Sequence, residues 1–265
     1  MKLFVLIFLS FSLLYSNVYY SKVEPYEIKK ISSNVVGVVN SVEENLLGKK
    51  LLNTPYIIID SQLDRDELKY TNEKLIYSKS TLKTDEKILS NLQSSVVKKR
   101  ENYQKVQAMK IKSTLEKDRD FYDLVASENS YLATQKELNS LKIQIADLEL
   151  RKAQLQRNIA DKTLKDNNYT LYSIDVKEGQ VVNKGTSLAT LADTSKALLT
   201  IYLNYEDVSD AKSKVIYLNG KKTSYKIDRL LNIADSKNIS KYRAQIIIQS
   251  PKIFSKLVKI ELKDR

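Results

Sequence analysis

Reactive chemistry near neutral pH usually begins with histidine or cysteine, and this 265-residue chain contains neither. Without His there is no ordinary general base and the commonest metal ligand is missing. Without Cys there is no thiol nucleophile, no thiolate metal site and no disulfide. Asp207, Asp210, Asp228 and Asp235 stand singly in the C-terminal part and read as solvated surface carboxylates. The chain carries 44 Lys and Arg against 32 Asp and Glu, a net charge of +12, but the bases are scattered and interleaved with acids. A nucleic-acid surface would gather basic and aromatic residues on one face, so no nucleic-acid partner is expected. Nor is any catalytic residue, metal or cofactor expected, and the protein is not read as an enzyme. One spacing has a definite physical consequence. In Ser113-Thr-Leu-Glu116 the Ser can accept from the backbone N–H three residues on while the Glu reaches back, which is a capping box. Asp118 adds a carboxylate near the same helix start, where the macrodipole favours it.

That helix start lies almost at the centre of a long block free of Gly and Pro. None occurs between Pro55 and Gly179, where average usage would place about nine Gly and six Pro. Helix breakers are confined to the flanks. Leu68, Leu75, Leu82, Leu89, Val96 and Tyr103 recur at steps of seven, with Leu92 and Val106 three residues after members of that row. Beyond Lys110 the phase changes. Leu124, Tyr131, Leu138, Ile145 and Ile159 form a second row, interrupted by Lys152, with Leu141, Leu148 and Leu155 as its d positions. Two seams separated by a phase break and a cap predict an antiparallel hairpin. Its arms are about 45–50 residues each, roughly 70 Å at 1.5 Å per residue. The alternative is one continuous rod that dimerises. Thr71, Ser78 and Asp85 in the first arm, and Ser127 and Thr134 in the second, occupy d positions, so the seam is weak and open to support from neighbours.

The N-terminus places one Lys before an apolar run, Leu3 to Leu14, with the small Ser16 after it. The run is shorter than the ~20 residues of a membrane span and reads as a secretory signal peptide, residues 1–16. A short uncleaved anchor is the alternative. Between Val18 and Asp60, short β-prone runs are punctuated by Gly and Pro. After the hairpin, strands resume at Leu171, Ile174 and Val176. There follows Glu178-Gly179-x-x-Val182-x-x-Gly185-x-x-Leu188, two glycine turns flanked by Val and Leu, as in the corners of a lipoyl-type half-barrel. Further strands are expected at Leu198–Leu203, Val215–Leu218, Tyr225–Ile227, Arg243–Gln249 and Lys256–Leu262, with a short helix over 204–208 and an Asn219-Gly220 hairpin turn.

This order of elements resembles the periplasmic membrane fusion proteins, the HlyD-like adaptors of tripartite efflux and type I secretion systems. The resemblance covers nearly the whole chain after the leader. It implies an α+β fold in which a long antiparallel coiled-coil hairpin is inserted in a split lipoyl-like (barrel-sandwich hybrid) β domain, followed by a small β-barrel. The implied boundaries are residues 17–60 for the N-terminal strands and first lipoyl half and 61–165 for the hairpin, with its tip at about 107–113. The second lipoyl half would be 166–194 and the barrel 195–265. A lipoyl fold also brings to mind a swinging-arm carrier, but carrier domains are not split around a hundred-residue coiled coil.

The family's tip signature is Arg, then Leu four residues on and Ser seven further, with a Tyr beside the Arg and acids after the Ser. It falls here on Asn102, Val106 and Ser113, with Tyr103, Glu116 and Asp118. Asn102 and Val106 replace the family's Arg and Leu. The resemblance implies that these residues dock an outer-membrane channel of the TolC type. It implies an inner-membrane transporter (ABC, RND or MFS type) as the other partner, assembly as a homo-oligomer (a hexamer by family analogy), and a periplasmic, envelope-associated location. The second reading is a structural coiled-coil protein of the envelope without a transporter partner.

Overall fold

The computed structural model describes residues 17–234, 238 and 240–264; the expected signal peptide lies outside them. The chain forms two compact units, one over Ile59–Leu164 and the other from the segments on either side. In order, β1 (Asn17–Lys22), β2 (Glu24–Ser32), β3 (Gly37–Val42) and β4 (Lys50–Ile59) precede two helices, α1 (Gln62–Ala108) and α2 (Thr114–Asp161). After them come β5 (Thr163–Ile174), β6 (Val181–Val182), β7 (Ser187–Leu203), the four-residue helix α3 (Tyr205–Val208), β8 (Val215–Leu218) and β9 (Lys221–Lys222). The chain closes with β10 (Arg229–Ala234), β11 (Tyr242–Gln249) and β12 (Leu257–Lys263). No helix among the described residues is long and apolar enough to cross a membrane.

α1 and α2 run 47 and 48 residues, about 70 Å each at 1.5 Å per residue, and pack on each other as the hairpin. The seam is the one the heptads predict. Leu75 and Val96 on α1, and Leu124, Leu138, Ile145 and Leu155 on α2, are buried along it. Thr71, one of the weak d positions, is buried as well. Polar ties flank the seam. Lys79 meets Glu149 at 2.6 Å, Lys142 meets Glu86 at 3.5 Å and Arg100 meets Glu128 at 2.6 Å. Each step of seven along α1 in this set is matched by seven in the opposite direction on α2, so one register holds over that length. Arg151 adds a fork to Glu67, with two hydrogen bonds of 2.7 Å. At the open end, Ile59 N donates to Lys162 O at 2.8 Å, and Asp60 Oδ1 accepts from Gln62 N at 3.0 Å.

In the other unit, strands from before and after the hairpin join one sheet, in the order β10-β11-β7-β5-β4-β3-β6, with β2 also paired to β7. Gly37 lies opposite Val182 and Val38 opposite Val181. The two glycine turns fasten the same halves together. Gly179 N donates to Val39 O and Gly185 N to Ser33 O, both at 2.8 Å. Both glycines have positive φ, 79° and 88°, and an added Cβ would meet nothing within 4 Å. The turns therefore need glycine for its backbone freedom and not for space. Val39, Leu51, Ile57, Leu171, Leu188 and Leu191 fill the interior beneath.

β7 continues through residues 194 and 195 without a break. Its first half pairs with β5, its second half, Lys196 to Leu203, pairs with β11, and β2 pairs along both, from Ser187 to Leu198. A second sheet, β1-β12-β8-β9, faces it. β1 pairs along its length with β12, Asn17 opposite Leu262. The first and last strands thus close the barrel side by side, over a core that includes Leu199, Ile201, Ile216, Ile246 and Ile260. Asn219 and Gly220 both have positive φ, at 50° and 79°, and make the turn from β8 to β9. Residues 225–227, expected as a strand, lie outside the strands; Ile227 is buried in the barrel core and Tyr225 packs against it.

One of the isolated carboxylates is not a solvated surface group, while Asp210 and Asp228 are exposed as expected. Asp207 on α3 is buried. It accepts from Tyr19 OH at 2.7 Å and from Asn17 Nδ2, which ties α3 to the N-terminal strand. Burial, together with the Asp207 carboxylate, pushes the Tyr19 phenol well above its ordinary range. Asp228 Oδ2 accepts from Ile247 N at 2.7 Å. Asp210 does face solvent, pairing with Lys214 at 3.1 Å. Asp235 lies outside the described residues.

Candidate partner-binding tip of the hairpin

The tip is built by a helix stop followed by a helix start. α1 ends at Ala108, and Met109 turns extended, with φ −80° and ψ 121°. Ser113 is extended too, at φ −69° and ψ 156°, and is the N-cap of α2. The capping box is complete. Glu116 N donates to Ser113 Oγ at 3.3 Å, while Glu116 Oε2 accepts from Ser113 N at 3.0 Å. Lys112 Nζ donates to Glu116 Oε1 at 2.8 Å. The Lys112 ammonium, reinforced by the Ser113 backbone N–H and hydroxyl, draws the Glu116 carboxyl down to about 2. Lys117 Nζ reaches back across the turn to Gln107 O at 3.2 Å, and so joins the two arms where the ladder of cross-arm ion pairs has ended.

The six residues of the expected tip signature take three different situations. Ser113 and Glu116 are engaged with each other and with Lys112. Tyr103 and Val106 are half-buried in the seam, where the Tyr103 ring lies 5.8 Å from that of Phe121. Asn102 and Asp118 are exposed, one on each arm.

What the sequence reading missed is apolar. Ile111 is 100% exposed and Leu115 80%, with Tyr122 at 69% and Met109 at 49%. Leu115, Glu116, Asp118, Arg119 and Tyr122 line a shallow groove of about 500 Å³ on the outside of α2. These apolar residues fall off both heptad rows, and that was the available signal: an apolar residue next to a turn and out of phase with the seam has no place in it. Among the described residues no group of three or more acidic side chains is placed to hold an ion.

No family model matches the chain, and no curated protein does. Solved structures match over almost its whole length. MacA from Actinobacillus actinomycetemcomitans superposes with a TM-score of 0.70 at 18% identity, covering 95% of this chain and 79% of that one. The membrane fusion protein Spr0693 from Streptococcus pneumoniae R6 gives 0.54 at 11% identity, covering 94% and 100%. ZneB from Cupriavidus metallidurans gives 0.52 at 13% identity, covering 94% and 98%. At these identities the likeness is one of fold: a long helical hairpin set between antiparallel strands of a split β unit, the architecture of solved membrane fusion proteins.

Proposed function

We propose that the protein is a periplasmic adaptor that links an inner-membrane transporter to an outer-membrane channel of the TolC type, for efflux or secretion, without catalysis of its own. The observation that carries this reading is the insertion itself. A pair of strands, β3 and β6, meets across the whole hairpin, in the fold shared with a membrane fusion protein. The inserted helices are 47 and 48 residues long, about 70 Å each, a length that suits a spacer between two partners.

In this reading the tip makes the channel contact. Asn102 and Asp118 supply outward polar groups, and Met109, Ile111, Leu115 and Tyr122 supply apolar area. Ser113 and Glu116 hold the turn, and Tyr103 and Val106 hold the arms beneath it. Copies assemble side by side in a ring, with neighbouring hairpins covering the exposed Ile76, Tyr77, Ile143 and Leu150. The transporter's class (ABC, RND or MFS) and the ring's number are set by surfaces outside the tip.

The test is site-specific photocrosslinking in the native envelope, with the probe at Ile111, Leu115 or Asn102. Adducts to an outer-membrane channel, lost in Ile111→Asp/Leu115→Asp, are expected, together with co-purification of an inner-membrane transporter. A chain that crosslinks only to itself in helical rods, and brings down no transporter, is the structural envelope protein instead.

A further inference from the structure

A groove of about 400 Å³ is cut into the wall of the barrel. Its floor is the outer face of β7 and β11, where Tyr202 pairs with Arg243 and Thr200 with Gln245. Its side is the end of β1 and the start of β2, from Tyr20 to Glu24. That side is fixed in place. Thr200 N donates to Ser21 Oγ at 2.8 Å, and Val23 is held on both its backbone groups, to Lys256 O at 2.9 Å and from Ser255 N at 2.8 Å. The alternate residues of the floor strands, Leu199, Ile201, Ala244 and Ile246, are fully buried on the opposite face. The groove is therefore a formed feature of the barrel wall.

Arg243 is the group the fold does not use. Its Nε is buried and has no acceptor, the one such side-chain atom among the described residues. A guanidinium carries its charge at every accessible pH and has five donors to satisfy. Buried donors of this kind are rarely left unmade in a folded protein, and an orphan calls for a partner, whether water, an ion or a bound ligand. Lys22 and Glu24 on the rim are opposite in sign, so the net charge of the groove is that of Arg243. The rest of the lining that matters is apolar surface: the ring of Tyr20, which is 62% exposed, the Tyr202 ring and the Leu198 side chain.

We propose that this groove binds a small organic carboxylic acid, its carboxylate held by Arg243 and its body lying against Tyr20, Leu198 and Tyr202. The planar fork of Arg matches the two oxygens of a carboxylate. A groove of this volume falls within the range of small-molecule sites, and its walls offer stacking and aliphatic contact, while the Lys22 charge on the rim is offset by Glu24 and leaves no net second positive charge for a multiply charged anion. The site is independent of the hairpin and of the adaptor role.

The test is isothermal titration of the purified chain with benzoate, octanoate and inorganic phosphate at matched ionic strength, using wild type, Arg243→Lys, Arg243→Gln and Tyr20→Ala. Saturable binding of benzoate or octanoate is expected, at least tenfold weaker in Arg243→Gln and intermediate in Arg243→Lys, with phosphate binding far more weakly. Tyr20 is exposed, so Tyr20→Ala keeps the fold, checked by circular dichroism, and lowers affinity for the same acid. The proposal fails if neither acid binds wild type, if phosphate binds as well as the acids, or if Tyr20→Ala binds unchanged. Sedimentation distinguishes the other source of a carboxylate. If Arg243→Gln lowers the assembled mass while no acid binds wild type, the partner is an acidic side chain of a second copy and the small-ligand site is overturned.

Discussion

Glu67 of α1 and Arg151 of α2 grip each other across the hairpin through two parallel hydrogen bonds of 2.7 Å, yet both side chains remain nearly half exposed, at 42% and 47%. Exposed pairs of this kind contribute about 0.2–1 kcal/mol. Leu155, fully buried in the seam, is worth more: truncating such a side chain to Ala costs about 2–5 kcal/mol. Glu67→Gln is therefore expected to leave the urea midpoint, followed by helical circular dichroism, almost unmoved, and to weaken its dependence on salt. Leu155→Ala should lower the midpoint severalfold more. Equal effects would mean that the ion pairs, and not the seam, hold the arms together.

The tip makes a prediction about acid. The Glu116 carboxyl is drawn down to about 2 from an ordinary 4.5, first by Lys112 and then by Ser113. A depressed carboxyl adds stability above its unfolded value and loses it as pH falls towards the folded one. The window here runs from about pH 4.5 down to about 2, and full exposure of the group keeps the effect small. Carboxyl NMR titration should place Glu116 among the most acidic groups of the chain. Lys112→Gln should move it upward, and Ser113→Ala should do the same while costing the helix start about 1 kcal/mol through the lost cap.

Alkali tests the β unit. Tyr56 is 2% exposed, and burial, with the Asp166 charge as a second cause, pushes its phenol up to about 12 from 10.0. A raised phenol keeps its proton longer in the folded state, so its contribution is complete below pH 10 and is lost as pH rises to about 12. Tyr56→Phe keeps the ring and its packing, so it should stay close to wild type at pH 8 but lose less further stability between pH 10 and about 12. Parallel decline of both proteins through that window would place the alkaline weakness elsewhere.

The split of the β unit can be locked. Val38 and Val181 are opposite one another in the β3–β6 pair, and both are substantially exposed. The native chain has no Cys, so Val38→Cys/Val181→Cys should form one intramolecular disulfide on mild oxidation. Its closure around the whole hairpin should appear as faster migration of the unreduced chain in denaturing gels. Crosslinked dimers alone would mean that the two halves come from different chains.

The hairpin was legible because a coiled coil writes its contacts at a fixed period, and because a cap is a local event that four residues can specify. Leu75, Val96, Leu124 and Leu138 stand where their spacing places them. The split β unit was legible for a different reason: Gly179 and Gly185 each need positive φ, and glycine at that interval leaves few alternatives. Asp207 was misread because its partners, Asn17 and Tyr19, lie at the opposite end of the chain. No local pattern distinguishes a carboxylate that will be buried from one that will not. The same holds for β1, whose partner β12 is the last strand, and for the free Nε of Arg243, which only the closed barrel makes buried. The apolar tip is harder to see because Ile111 and Leu115 stand out only by being out of phase with the heptad rows.

β7 has a mechanical meaning. An unbroken strand of 17 residues is bonded along one half to β5 and along the other to β11, while β2 is bonded to both halves across residues 194 and 195, as a beam is shared by two rooms. Rotating one region against the other about residues 194 and 195 would require breaking ladder hydrogen bonds on both sides of that point. A load applied to the barrel is therefore passed along the beam into the strands that frame the inserted helices, with no hinge between to absorb it.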